Sequence, residues 1–208
     1  MTTKLKLYNL ALGTYIGTQR LANLTENVAS RYALDDVFDS SVQYMLEQGL
    51  WKFALKTINL TSLRVEAAAH RSWVYPLPAD FVRLARISND KRLDVNGQLE
   101  DFLEENGFVY TDSDRLWIQH VSNDETHGLN FDLYPANYEQ AVASWLAYQS
   151  LLPVNKDRGD RADLLKLHER TLSNSRRLDA VDEAVKAKPS GRWPAARGRV
   201  SGYLGTTR

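Results

Sequence analysis

The spacing of apolar residues changes twice along the chain, and this change constrains the fold more than any other feature. Residues 5–16 and 28–48 place apolar side chains three and four positions apart, which predicts helices. Residues 81–88 alternate apolar and polar side chains, which predicts a strand. Helical spacing then returns over residues 137–152 and 158–187. We therefore expect helices at both ends of the chain and strands in its middle.

Turn-forming residues divide that middle part into short strands. Alternation begins at Trp51, and Asn-Gly pairs stand at 96–97 and 106–107. These pairs indicate hairpins, because a type I′ turn needs positive φ at both of its central residues. Further strands are predicted over residues 108–110, 115–120 and 129–134.

Glycine and proline mark the predicted helix ends. Gly13 or Gly17 would close the first helix and Gly49 the second, because glycine accepts the left-handed conformation of a C-cap. Pro153 would end the third helix, since proline lacks the amide hydrogen that a helix needs. Trp51 and Phe53 are expected in the core, where truncating either side chain would cost about 3–5 kcal/mol.

Charge is divided unevenly, although the formal net charge of the chain is zero. Residues 186–208 contain six basic residues and no acid, so the rest of the chain has six more acids than bases. From Pro189 onward proline and glycine recur, and such a segment is not expected to bury enough apolar surface to fold alone. Its Trp193 and Tyr203 favour an arm that binds a partner. An unused, solubilising end is the alternative.

Residue patterns for catalysis or metal binding are weak. The chain has no cysteine, which excludes disulfides and thiolate chemistry. It has no phosphate-loop or nucleophile-elbow motif. His120, Asp124 and His127 form at most a weak candidate site, and ordinary surface or hairpin histidines are the favoured interpretation. Acidic clusters, which we interpret as solvated, occur at Asp35, Asp36, Asp39, Glu100, Asp101, Glu104 and Glu105. We expect no catalytic residue, no metal site and no cofactor.

Membrane association is not expected either. No apolar run approaches the roughly 18 residues that a membrane helix needs. The N-terminal residues lack the apolar core and the cleavage site of a signal peptide.

An ordered series of short motifs resembles a known family. Residues 9–13 (NLALG), 24–26 (LTE), 49–54 (GLWKFA) and 75–84 (YPLPADFVRL) occur in the order and spacing of the tailed-bacteriophage head-to-tail adaptor, or connector, family. That family includes the tail accessory factor of short-tailed phages and the tail tubular proteins. The Trp51-x-Phe53-Ala54 element carries most of the resemblance, and the layout of the later segments extends it over nearly the whole chain.

The resemblance and the periodicity together imply an α+β fold that is mainly α. We expect a helical bundle of about four helices with a β-rich insertion and an extended C-terminal arm. The bundle would comprise residues 1–50 and 135–187, the insertion residues 51–134, and the basic C-terminal arm residues 188–208.

The resemblance also implies a structural virion protein and not an enzyme. The chain would form a ring, typically of twelve copies, beneath the portal protein, and would give the downstream tail or neck protein its attachment platform. Double-stranded DNA would pass through the ring without sequence-specific contacts. The protein would reside in the virion neck, and in the host cytoplasm during assembly.

The portal-binding residues are expected in the C-terminal arm. Aromatic and apolar side chains would fill portal pockets, and arginines would meet acidic portal groups; these residues are Arg192, Trp193, Arg197, Arg199, Tyr203 and Leu204. The acids at 100–105 would line the channel or face the next tail component. Two other classes stay open: a nucleic-acid-binding module that uses the basic arm, and a small hydrolase that uses a carboxylate pair.

Overall fold

The computed structural model describes residues 3–63, 71–93, 98–99, 101–155 and 160–181. Among these residues, α-helices occur near the two ends of the chain: α1 (Lys4–Leu10), α2 (Ala29–Glu47), α3 (Ala136–Asn155) and α4 (Asp160–Val181). The strands between them are β1 (Leu55–Leu60), β2 (Trp73–Pro76), β3 (Phe81–Ser88), β4 (Leu103–Glu105), β5 (Phe108–Thr111) and β6 (Leu116–Ser122). The predicted order of helices, strands and helices is thus observed.

Of the two glycines predicted to end the first helix, Gly17 ends it and Gly13 lies within it. The Thr3 hydroxyl accepts a hydrogen bond from the Lys6 amide at 3.2 Å, which caps the start of α1. The helix then widens into a π-helical segment, Ala11–Ile16, before Gly17 adopts a left-handed φ of 75°. Gly17 is therefore the C-cap that glycine favours.

The second helix matches its predicted span, but Gly49 is not its cap. Gln48 closes α2 in a right-handed conformation with φ −74°. A side chain at Gly49 would begin 2.9 Å from the Trp51 ring. Trp51 is fully buried there, and its indole NH donates to the Met45 carbonyl at 2.7 Å. The absent side chain at residue 49 makes room for tryptophan, and the predicted cap was wrong.

Two further local predictions were wrong for similar reasons. Lys52–Ala54 is a 3₁₀ turn, and β1 begins only at Leu55, because the Ala54 amide donates to the Trp51 carbonyl at 2.9 Å. Residues 129–134 are not a strand. They contain the 3₁₀ turn Phe131–Leu133, and the Tyr134 hydroxyl donates to the Gly128 carbonyl at 2.8 Å. In both segments the aromatic residues turn into the core instead of alternating.

The strands form two antiparallel sheets of three strands each. Sheet 1 has the order β1-β6-β3, and sheet 2 has the order β2-β5-β4. The predicted hairpin at residues 106–107 joins β4 to β5, with φ 51° at Asn106 and 78° at Gly107. Pro76 ends the edge strand β2, where a missing amide hydrogen is tolerated. The second Asn-Gly pair, 96–97, lies outside the described residues.

Two apolar clusters meet at sheet 1. The larger one joins all four helices to Trp51, Ala54 and Val121. The smaller one lies between the two sheets and consists of Leu60, Tyr75, Ile87, Val109, Leu116 and Ile118. Sheet 1 therefore has the helices on one face and sheet 2 on the other.

The last two helices pack on each other, and their ends differ from the prediction. Pro153 lies inside the final turn of α3, which continues to Asn155, so it does not end the helix. The described part of α4 ends at Val181, and its predicted continuation to Ala187 lies outside the described residues. None of the described helices combines the length and apolarity needed to cross a membrane.

The predicted fold class was wrong. The described chain is a mixed α+β structure with two sheets, not a mainly α bundle carrying an insertion. Sheet 1 supplies Val121 to the helical core, and the strands have an apolar cluster of their own. Strand periodicity identified most of the strands, but it does not show that they pair into two sheets with a separate apolar cluster between them.

Candidate functional site

The predicted portal-binding residues lie outside the described residues. This applies to all six of them: Arg192, Trp193, Arg197, Arg199, Tyr203 and Leu204. The structure brings none of them together, so the assignment of these residues stays a prediction. What the structure does describe is the helix that leads to them and two charged surfaces on the body.

Helix α4 buries one side against the core as far as Ser175, and its last apolar residues are exposed. Leu164 and Leu172 pack in the core, at 6% and 8% exposure. Leu178 and Val181 continue the same apolar stripe but are 41% and 72% exposed. The stripe thus extends past the surface that covers it, immediately before the basic segment of the sequence.

A groove lined by positive side chains lies between the end of α4 and sheet 1. We call it the basic groove; its charged lining residues are Lys52, Arg83, Arg86, Arg176 and Asp179. It has a volume of about 560 Å³, and its floor includes Trp51, Leu55 and Gln119. Four cationic side chains thus surround one carboxylate, which favours an anionic ligand.

Hydrogen bonds to the end of α2 and to the 3₁₀ turn hold the groove in place. Arg83 donates to the Glu47 carbonyl at 3.1 Å, and Arg176 donates to the Gln48 side chain at 2.9 Å. The Asp179 carboxylate accepts the Lys52 amide at 3.3 Å. A guanidinium has five N–H donors, so each of these bonds occupies only part of its capacity.

An acidic surface lies at the hairpin between β4 and β5. All three residues of β4, which are Leu103, Glu104 and Glu105, are exposed at the edge of sheet 2. Neither glutamate forms an ion pair with any described residue. We call residues 103–108 the acidic hairpin. Asp101, just before it, is instead paired with Arg71, which also contacts Asp112 at 3.0 Å.

Of the two candidate histidines, His127 contacts Asp124 and His120 lies near Asp80, and Lys56 lies between the two carboxylates. Lys56 donates to Asp124 at 2.6 Å and to Asp80 at 2.7 Å. His127 Nδ1 lies 2.9 Å from Asp124 Oδ1. His120 Nε2 lies 3.7 Å from Asp80 Oδ2, which is too long for a hydrogen bond.

The electrostatics of this cluster indicate a stable ion-pair network. Burial alone would raise the pKa of Asp124, but hydrogen bonds from Lys56, His127 and Thr126 lower it well below its usual range. The pKa of Asp80 is lowered as well: burial alone would raise it, but hydrogen bonds from Lys56 and Ser122 lower it. The pKa of Lys56 is raised, first through its bond to Asp124. The carboxylates are therefore charged and already paired.

Neither metal binding nor acid–base chemistry is favoured by this arrangement. The Lys56 ammonium occupies the position between the carboxylates that a cation would take. Across the described ranges, no group of three or more histidine or acidic residues is placed to hold a metal ion. Of the acids in α2, Asp35 accepts hydrogen bonds from Tyr8 and Arg31, both at 2.7 Å. These contacts fix the fold.

Sequence reasoning missed the basic groove. Arg83 and Arg86 stand near each other in β3, but Arg176 is about ninety positions further along the chain. Only the packing of α4 against the turn after α2 brings them together. The acidic hairpin had a local signal, because its acids directly precede the Asn-Gly pair.

The comparisons with known proteins give no family. No protein-family model matches the chain, and no curated protein matches it.

Proposed function

We propose that the chain is a structural virion protein, a head-to-tail adaptor that forms a ring under the portal. The observation that carries the proposal is the end of α4. Its last apolar residues, Leu178 and Val181, lie exposed beyond Ser175, where the buried side of the helix ends. A helix that keeps such a stripe exposed is suited to packing against another protein.

The charge distribution supports the same assignment. Residues 186–208 contain six basic residues and no acid, and they follow a body with an excess of acids. A basic segment with aromatic anchors can add a large contact area to an acidic partner surface. In this proposal Trp193, Tyr203 and Leu204 fill portal pockets, while Arg192 and its neighbouring arginines meet portal carboxylates.

The remaining parts of the proposal follow from this attachment. Copies bound around a portal would surround its channel, and their ring would extend that channel for the passage of DNA. The ring would offer the downstream tail or neck protein its platform, and the protein would reside in the virion neck. A role without catalysis fits the Lys56 cluster, whose carboxylates are already paired.

Deletion of residues 189–208 tests the proposal. The truncated protein should keep its fold, because the described core lies within residues 3–181, but it should no longer bind the portal encoded in the same genome. Trp193→Ala and Tyr203→Ala should each weaken binding about 30-fold, since an aromatic anchor contributes roughly 2 kcal/mol. Binding is measured by surface-immobilised portal and folding by circular dichroism.

A matched control uses an exposed aromatic residue of the body. Tyr32 is 48% exposed on α2, and Tyr32→Ala should leave portal binding unchanged. Equal portal affinity of the full and truncated chains would contradict the proposal.

A nucleic-acid-binding module is the second candidate, because six bases interleaved with Trp193 and Tyr203 suit phosphate neutralisation and base stacking. Tight binding to free DNA that weakens steeply with salt, together with no portal binding, would favour it. The excess of acids on the body makes a protein surface the better partner.

A further inference from the structure

The basic groove has the shape and charge of a receptor for carboxylates. Arg83 and Arg176 are exposed and anchored at 3.1 and 2.9 Å to the end of α2, so their guanidinium groups are held at the groove without using all donors. A fixed guanidinium binds a carboxylate with paired N–H bonds. At about 560 Å³ the groove has room for several side chains.

The acidic hairpin carries the complementary charge. Its tight turn, with positive φ at Asn106 and Gly107, projects a short two-stranded tip from sheet 2. Glu104 and Glu105 are both exposed beside the turn. Leu103, next to them, is 40% exposed and adds an apolar contact.

The two surfaces lie on opposite faces of sheet 1. Successive side chains of a strand point to opposite faces. On β6, Ile118 packs against Tyr75 and Val109 of sheet 2, whereas Gln119 lines the groove. The hairpin belongs to sheet 2, so it lies on the far side of sheet 1 from the groove of its own copy.

We propose that the acidic hairpin of one copy binds in the basic groove of the next. Two different patches on opposite sides of a subunit make a head-to-tail contact, and repeating such a contact generates a closed ring when the rotation closes. The inference rests on the proposed adaptor function for its setting, and it names the partner of this surface as a second copy of the chain.

Directed cross-linking tests the contact. Because the chain has no cysteine of its own, only the introduced thiols can react. The double variant Leu103→Cys/Ala180→Cys places one thiol beside the hairpin glutamates and one in the groove lining without removing a charge. It is treated with a short bis-maleimide, both as concentrated free protein and bound to the portal, and it should form a ladder that extends beyond dimers. The control pair, Leu103→Cys with Leu133→Cys, uses another exposed position. A control ladder as strong as that of the hairpin–groove pair would overturn the inference.

Charge reversal provides a second, independent test. Glu104→Arg/Glu105→Arg or Arg83→Glu/Arg176→Glu should each weaken association between copies about tenfold or more, and combining all four should restore it. Asp36→Arg/Asp39→Arg, two exposed acids of α2, serves as the matched control. Native mass spectrometry gives the copies per portal. The contact is contradicted if the charge-reversal variants associate as tightly as the wild type, or if combining all four substitutions does not restore association.

The failure of this inference can be distinguished from failure of the adaptor function. A cysteine double variant that binds the portal but forms no hairpin–groove cross-link contradicts only the inference. A cysteine variant that cross-links head to tail, in a chain that does not bind the portal, contradicts the adaptor function.

Discussion

Lys56 illustrates how single residues join distant parts of this molecule. Its ammonium group links Asp80, before β3, to Asp124, after β6. Each carboxylate is partly exposed, so solvent screens the attraction, and the network is worth more as a positional constraint than as stabilisation. The arrangement fixes the loop after β6 against sheet 1.

His120 leads to a prediction about pH. It is fully buried, its ring stacks on Phe81, and neither ring nitrogen has a hydrogen-bond partner among the described residues. Burial lowers its pKa below the usual 6.5, although Asp80 opposes this effect; Lys56 and His127 lower it further. Because the unfolded chain binds the proton more readily, the free energy of unfolding should fall as pH drops below 6.5.

The variant His120→Phe isolates this contribution. It should be at least as stable as the wild type at pH 7, and its loss of stability between pH 6.5 and 5 should be smaller. Urea unfolding at a series of pH values measures both quantities. His168, another buried histidine with a lowered pKa, should supply the dependence that remains. If the free energy of unfolding of the His120→Phe variant depended on pH as steeply as that of the wild type, the account would be contradicted.

At the scale of elements, α4 predicts a contrast between two leucines. Leu172→Ala removes a buried side chain and should cost about 2–4 kcal/mol of unfolding free energy. Leu178→Ala, at an exposed position of the same stripe, should change stability by less than about 0.5 kcal/mol yet weaken portal binding. Thermal unfolding and portal-binding curves of both variants check this. If both variants lost the same unfolding free energy, Leu178 could not be at an exposed position of α4.

Sequence patterns predicted the local structure correctly where a single local interaction determines it. The strand over Phe81–Ser88 follows from alternation, and the cap at Gly17 and the hairpin turn at Gly107 follow from positive φ. It failed at Gly49, where the Trp51 ring occupies the space a side chain would need. That contact follows from the return of the chain after α2, which no local pattern encodes.

The same limit explains the wrong fold class and the missed site. Short strands were predicted, but their packing into two sheets with a common core depends on pairings such as Ile58 with Ile118. The basic groove depends likewise on Arg83 meeting Arg176 across the fold. The character of the C-terminal arm, in contrast, follows from composition, and its binding role stays a prediction.

At the scale of the whole molecule, both ring formation and portal binding use charge at separate places. The basic groove and the acidic hairpin would join copies to each other, while the C-terminal arm would join each copy to the portal. Attraction between exposed charges weakens with salt, because the screening length is about 10 Å at 0.1 M. Contacts between copies should therefore weaken with salt more than the contacts that Trp193, Tyr203 and Leu204 would make in portal pockets.

Imaging the mixture of this protein with its portal tests the central claim most directly. Electron microscopy of the purified complex should show a ring of copies coaxial with the portal, with the C-terminal arm of each copy in contact with it. A portal that stays bare at saturating protein, with the wild-type chain folded, would contradict the adaptor function.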